Sequence, residues 1–163
     1  MSIYRYTLRR QWNAQKRGTL NWVMLNPSMA DDIFDDPTIR KCIGFTKRWG
    51  FSGLVVTNLF AYRATDPRDM IRVARKSWML AEGEENRETL LREADSAEMI
   101  CCAWGNNGGI NGRDLEVVSL LHETHDLYCI RRTKEGNPVH PVRESYTDAP
   151  VLFYSCVGER KHA

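Results

Sequence analysis

Four apolar runs, each ended by a polar or turn-forming residue, constrain this chain more than any other feature. They are LNWVML (20–25), GLVVTN (53–58), EMICCAW (98–104) and the segment 126–131. Each has strand length, and their continuous apolar character suits strands covered on both faces. Helix-patterned segments separate them. Asp36 and Pro37 read as the N-cap and first position of a helix whose apolar face is Ile39, Cys42, Ile43 and Trp49, with Gly50 at its end. Further helices are expected near 67–75, over 81–95 and over 113–123. Residues 3–10 alternate, with Tyr4, Tyr6 and Leu8 opposed to Arg5, Thr7 and Arg9, as in a half-buried strand, and 151–155 reads as an edge strand. Alternating strands and helices predict an α/β fold, a three-layer αβα sandwich around a central, mostly parallel sheet. With 163 residues and no repeat or low-complexity linker, the chain reads as a single domain spanning 1–163.

The ends of these runs matter most. In open parallel sheets, ligands bind beyond the carboxyl ends of the strands. Asn26, followed by Pro27 and Ser28, ends the first of the four runs; Asn58 ends the next; Trp104-Gly105 ends the third. His140 and Pro141 follow the fourth, delivered by the turn Lys134-Glu135-Gly136-Asn137. Alone, an Asn after a strand is a turn former and a His is structural. Four such turns on one rim point to an active site.

Several chemistries lack their signatures. There is no GxGxxG, phosphate loop, GxSxG elbow or HExxH. Cys42, Cys101, Cys102, Cys129 and Cys156 show no CxxC spacing and read as free, buried thiols. His122 and His125 lack a third ligand at metal spacing, so neither metal nor cofactor is expected. No apolar run approaches the ~20 residues of a membrane span, and MSIYRYTLRR is too polar for a signal peptide; the expectation is a cytoplasmic protein without membrane contact. The net charge is only +2, but basic residues cluster: Arg9, Arg10, Lys16 and Arg17; Arg40, Lys41, Lys47 and Arg48; Arg131, Arg132, Lys134 and Arg143. Such clusters suit phosphate if they surround an active-site mouth. Amides, a His and carboxylates remain. Amides match the edge of a nucleobase, a His donates to a departing anion, and an Asn or carboxylate orients water. That is the equipment for metal-free cleavage of an N-glycosidic bond, or for another metal-free hydrolysis.

The segments LNPSMADDIFDDPTIRKCIGFTKRWGF, VVTNLFAYRATDP, WGNNG and GNPVHP resemble the bacterial and phage domain-of-unknown-function family 1643, over nearly the whole chain. More distantly, the order of motifs is similar to that of the uracil-DNA glycosylase superfamily. Asn26-Pro27 resembles its first motif in the mismatch-specific branch, Asn58 its base-reading Asn, Trp104-Gly105 a later strand end, and His140-Pro141 its His-Pro loop. Where that loop usually continues with a small residue and an intercalating apolar one, this chain has Val142, Arg143 and Glu144, so Arg143 or Tyr146 would take the wedge's place.

This resemblance implies a uracil-DNA glycosylase-like fold and a monofunctional DNA glycosylase, without cofactor and acting as a monomer. Its substrate would be a flipped modified or damaged base in DNA, such as a phage-modified cytosine or thymine, in anti-phage defence or DNA repair. Asn26 would position water, His140 would stabilise the leaving base, and Asp36 or Asp32 would assist electrostatically, Asp36 also serving as a helix cap. Asn58, Pro27, Ser28, Phe60 and Tyr62 would bind the base, with Phe34 a further stacking candidate. Arg63, Trp104, Gly105, Asn106 and Arg143 would contact DNA. The alternatives are a non-catalytic nucleic-acid or nucleotide-binding module on the same fold, or a hydrolase of free nucleosides or nucleotides.

Overall fold

In the computed structural model, which describes residues 2–12 and 17–158, six strands form one sheet in the order β1-β3-β2-β4-β5-β6. They are β1 (Leu8–Gln11), β2 (Arg17–Met24), β3 (Phe51–Asn58), β4 (Met99–Cys102), β5 (Leu127–Cys129) and β6 (Val151–Tyr154). The helices are α1 (Pro37–Arg48), α2 (Pro67–Lys76), α3 (Trp78–Glu82), α4 (Asn86–Ser96) and α5 (Arg113–His122). Gly105–Gly112 and Pro141–Arg143 are 3₁₀ segments. No helix of the described residues is long and apolar enough to cross a membrane.

The sheet is mixed rather than mostly parallel. Strands β3, β2, β4 and β5 run parallel, while β1 lies antiparallel on β3 and β6 antiparallel on β5. Only strands joined by a helical crossover are forced parallel. The chain reaches β1 before the first crossover, and it reaches β6 from the loop after His140 without one.

Both faces of the central strands are buried, and their side chains alternate between two cores. Leu20, Trp22 and Met24 of β2 join Ile39, Cys42, Phe45 and Trp49 around α1. Val23 of β2, with Ile100 and Cys102 of β4, packs against Leu90, Val117 and Leu121 on the opposite side. Trp22 stacks on Trp49 with ring centroids 5.7 Å apart, and its indole N–H donates to Thr46 Oγ1 at 2.9 Å. That bond makes a buried Trp admissible in this core. Cys42, Cys101, Cys102 and Cys129 are free and buried, and Cys156 is partly exposed.

Two expected elements are interrupted. The segment 81–95 is not one helix: Gly83, at φ 85°, separates α3 from α4. A Cβ there would stand 2.9 Å from the Tyr6 hydroxyl, so glycine is required twice over. The alternating run 3–10 is a ladder strand only from Leu8 onward. Before it, the Arg5 N–H donates to Ala61 O (3.0 Å), the Arg63 N–H donates to Ile3 O (2.8 Å), and Tyr4 bridges Tyr62. This pairing continues past the carboxyl end of β3 and carries Arg5 onto the rim.

Candidate functional site

The chain leaves β2 through α1, on one face of the sheet, and leaves β3 through α2 to α4, on the other. Neighbouring parallel strands whose connections diverge leave a crevice between their carboxyl ends. A cavity of about 240 Å³ occupies that position. Its walls include Asn26, Pro27 and Ser28 after β2, Asn58 at the end of β3, Ala64, Thr65 and Pro67 in the following loop, Asp36 and Thr38 at the start of α1, and Arg5 and His140. Six residues singled out from the sequence therefore share one cleft: Asn26, Pro27, Ser28, Asp36, Asn58 and His140.

Each amide has a defined part. Asn26 Nδ2 donates to Pro27 O and Ala64 O, both at 3.0 Å, and the Ala64 N–H donates to Pro27 O at 3.0 Å. These bonds lock the two loops together. They commit the Asn26 NH₂ group and leave Oδ1 as an acceptor for the cleft. Asn58 is 2% exposed, and its side-chain amide makes no hydrogen bond among the described residues. Its own carbonyl is held from behind by buried Asn86, whose Nδ2 donates to Asn58 O (2.9 Å) and Leu59 O (3.1 Å). The Arg113 Nε–H also donates to Leu59 O at 2.8 Å. The end of β3 is thus fixed by polar groups while its terminal amide stays unengaged.

Asp36 caps α1: Oδ1 accepts from the Ile39 N–H at 2.9 Å. It is also 9% exposed, at the cleft wall. Across from it, His140 Nδ1 accepts from the Val142 N–H at 3.3 Å. Burial pulls the imidazole below its ordinary range, opposed by the Asp36 carboxylate. The neutral ring with its proton on Nε2 follows. Two contacts hold the His140 loop on α1, and a third ties it to the segment after β5. Lys41 Nζ donates to Glu144 O, Glu144 pairs with Arg131 at 2.7 Å, and Tyr146 packs on Phe45 with centroids 4.9 Å apart. The Tyr146 ring fills the notch at Gly44, where a Cβ would lie 2.1 Å from its hydroxyl.

Other sequence candidates lie elsewhere. Phe60 is fully buried in the α2–α5 core, so it packs the fold and does not face the cleft. Tyr62 is half-buried edge-on to Tyr4, outside the cavity wall. Trp104 is 2% exposed, against Phe153 and under Gly108, so it is no DNA-contacting surface. Gly105 is buried at φ 71°, its N–H donating to Pro138 O, and it supports the backbone before His140. Asn106 is exposed but joins Glu135, Thr133 and Asn137, which it braces. Tyr146, one of the wedge candidates, is an anchor for the His140 loop. Arg143 is exposed and Arg63 half-buried. Lys16 lies outside the described residues.

Three features were not legible in sequence. Alternation sets Arg5 on the side of a half-buried strand opposite Tyr4, Tyr6 and Leu8, yet it lines the cleft. Asp31 Oδ1 accepts from the N–H groups of Ile33 (2.9 Å) and Phe34 (2.6 Å), closing a tight loop that Arg10 braces through Asp35 at 2.8 Å. That loop leaves Ile33 95% and Phe34 51% exposed, between cleft residues Ser28 and Asp36. Helix α2 starts at cleft residue Pro67 and carries Arg68, Arg72, Arg75 and Lys76 around a surface depression.

No curated protein and no solved structure matches this chain. The segment 5–142, which holds every residue of the cleft wall, matches the family model described as "Protein of unknown function (DUF1643)", and the chain belongs to that family.

Proposed function

We propose that the cleft is the active site of a metal-independent DNA glycosylase, which hydrolyses the N-glycosidic bond of a modified or damaged base and leaves an abasic site. The observation that carries this reading is the meeting of three uncommitted groups in one cavity: the Asn58 amide, the His140 Nε2–H and the Asn26 Oδ1. An amide offers one acceptor and two donors, which suits the pairing edge of a base. The chemistry follows from the roles these groups suit. As the bond from C1′ to the base nitrogen breaks, its electron pair moves onto the base, and charge collects on a ring carbonyl. The His140 Nε2–H donates to that oxygen. Water accepted by Asn26 Oδ1 adds to the sugar cation at C1′ and releases its proton through Asp36 to solvent, while the departed base gains one. Asp36 also favours the cation by its charge.

DNA as substrate is supported by the surroundings. A base reaches such a cleft only after leaving the stack, which costs a few kcal/mol. Ile33 and Phe34, displayed on a braced loop at the rim, suit insertion into the gap left behind. The basic side of α2 suits a phosphate backbone. The likeness of motif order to the uracil-DNA glycosylase superfamily supports the same assignment.

The test is incubation of the protein with duplex and single-stranded DNAs containing uracil, hydroxymethylated or glucosylated cytosine, or modified thymine, followed by alkali. One substrate is expected to yield strand breaks. His140→Ala is expected to lower the rate about 10²–10³-fold. Binding without breaks would instead favour a non-catalytic reader, and neither binding nor breaks would favour free nucleotides.

A further inference from the structure

Two arginines beside the cleft are uncommitted where commitment is the rule. Arg5 lines the cavity, and its Nε and Nη1 are buried without a hydrogen-bond partner among the described residues. Arg63 Nε is buried and unpartnered in the same way. Antiparallel pairing sets Arg5 opposite Ala61 and Arg63 opposite Ile3, so the two arginines are diagonal neighbours on one side of the pair, just before cleft residues Ala64 and Thr65, and the Arg63 charge acts on Arg5. Buried guanidinium N–H groups are as a rule paired, because leaving one dry and unbonded costs about 1–3 kcal/mol; besides these two arginines, Arg113 leaves one such group, Nη2, without a partner, away from the cleft wall. Two such cations repelling each other cost more, and that arrangement is what a site for an anion needs.

We infer that Arg5 and Arg63 form a phosphate subsite of the cleft, so the molecule it takes is a nucleotide held by both base and phosphate. This rests on the base-reading assignment of Asn58 and His140 and adds the charged half of the ligand. The electrostatics agree with the geometry. Burial and the Arg63 charge lower the Arg5 guanidinium to about 10, with Arg10 acting in the same direction, while Asp36 and Asp31 oppose the shift. The guanidinium remains charged at neutral pH, and neither carboxylate bonds to it. Two phosphate oxygens that accept parallel N–H bonds match the guanidinium fork, which a lysine cannot reproduce. The Asp36 charge reaches both Arg5 and His140, and only at Arg5 do two guanidinium charges outweigh it. The phosphate is therefore held by Arg5 and Arg63, and the base by Asn58 and His140.

The experiment compares the full chain with its Arg5→Gln, Arg5→Lys and Arg63→Gln variants in thermal unfolding and in binding. Inorganic phosphate, at ionic strength matched with chloride, is expected to raise the Tm of the wild type and not that of Arg5→Gln or Arg63→Gln. Without phosphate, Arg5→Gln is expected to melt at or above the wild-type temperature, since an unpaired buried charge has gone. Two probes separate the phosphate's source: thymidine 5′-monophosphate, and a short oligothymidylate against its uncharged methylphosphonate counterpart. The wild type is expected to prefer the phosphodiester strand about tenfold. That preference should disappear in Arg5→Gln and stay weak in Arg5→Lys. Preference for the monophosphate alone keeps the subsite and moves the ligand to free nucleotides, overturning the DNA assignment and not this one. An equal phosphate response in the wild type and both Gln variants overturns the subsite, and so does base release at wild-type rate by both variants, which leaves the glycosylase reading standing.

Discussion

The backbone N–H of Val142 donates to Nδ1 of His140, and this bond decides which face of the imidazole carries a proton. With Nδ1 occupied as an acceptor, the neutral ring places its proton on Nε2. A doubly protonated ring would set two N–H groups against each other. The site is therefore built for neutral His140. Because burial holds its pKa below the ordinary histidine value, the neutral form persists into mildly acid solution.

From this follows a pH signature. Base release is expected to stay level from alkaline pH down through the ordinary histidine range and to fall only below it. Stability carries the same sign. The unfolded chain binds the proton more readily than the folded one, so His140 leaves stability unchanged above about 6.5 and destabilises the fold as pH falls toward its lowered folded value. In His140→Gln that part of the acid-side loss of Tm should disappear, and parallel melting curves of variant and wild type across this range would refute the assignment.

Gly44 and Tyr146 give a second prediction, at a distance from the chemistry. Gly44→Ala drives a Cβ into the Tyr146 ring, with the hydroxyl and two ring carbons all within 2.6 Å. The ring has to leave, loosening the loop that presents His140. An overpacking cost of about 1–3 kcal/mol is expected, with a fall in kcat. Adding Tyr146→Ala should remove most of the stability cost without restoring kcat. Full recovery of kcat would show that Tyr146 does not hold the loop.

Asn86 supplies a third. Replacing it with Leu leaves the buried carbonyl of Asn58 without its donor, and leaves Leu59 O to Arg113 alone. A loss of about 2–3 kcal/mol in chemical unfolding is expected, together with weaker base binding as Asn58 shifts. Unchanged stability would mean that another donor already serves these carbonyls.

The loop tip gives a fourth prediction, opposite in kind. Ile33→Ser and Phe34→Ser remove exposed side chains and are expected to alter stability by no more than about 0.5 kcal/mol. On duplex DNA they should slow base release, while single-stranded DNA, which needs no flipping from a stack, should be cleaved at the original rate. Equal losses on both substrates would assign the loop to binding in general.

The strands are legible in the sequence where period and length agree. The run 53–58 became β3, extended only to Phe51, and Asp36-Pro37 opened α1 as its capping chemistry required. The sheet's edges are not, because nothing in the short runs near 8–11 and 151–154 records which way a strand enters the sheet. Asn26, Asn58, Asp36 and His140 were legible because strand ends at a switch point converge by topology alone. Arg5 was not: alternation sets it on the side opposite Tyr4, Tyr6 and Leu8, and only the departure of residues 3–5 from the ladder turns it into the cleft. Phe60 and Trp104 misled for the reverse reason. Aromatic residues next to a rim suit both a ligand and a core, and here the core took them.

The most direct measurement is to identify the products made in ¹⁸O-labelled water from DNA carrying the candidate bases, using mass spectrometry. Free base, together with one heavy oxygen on the abasic sugar, is the result expected, with both products lost in His140→Ala. Intact DNA across the whole set, or heavy oxygen found on the base or the phosphate instead of the sugar, would contradict glycosidic hydrolysis in this cleft.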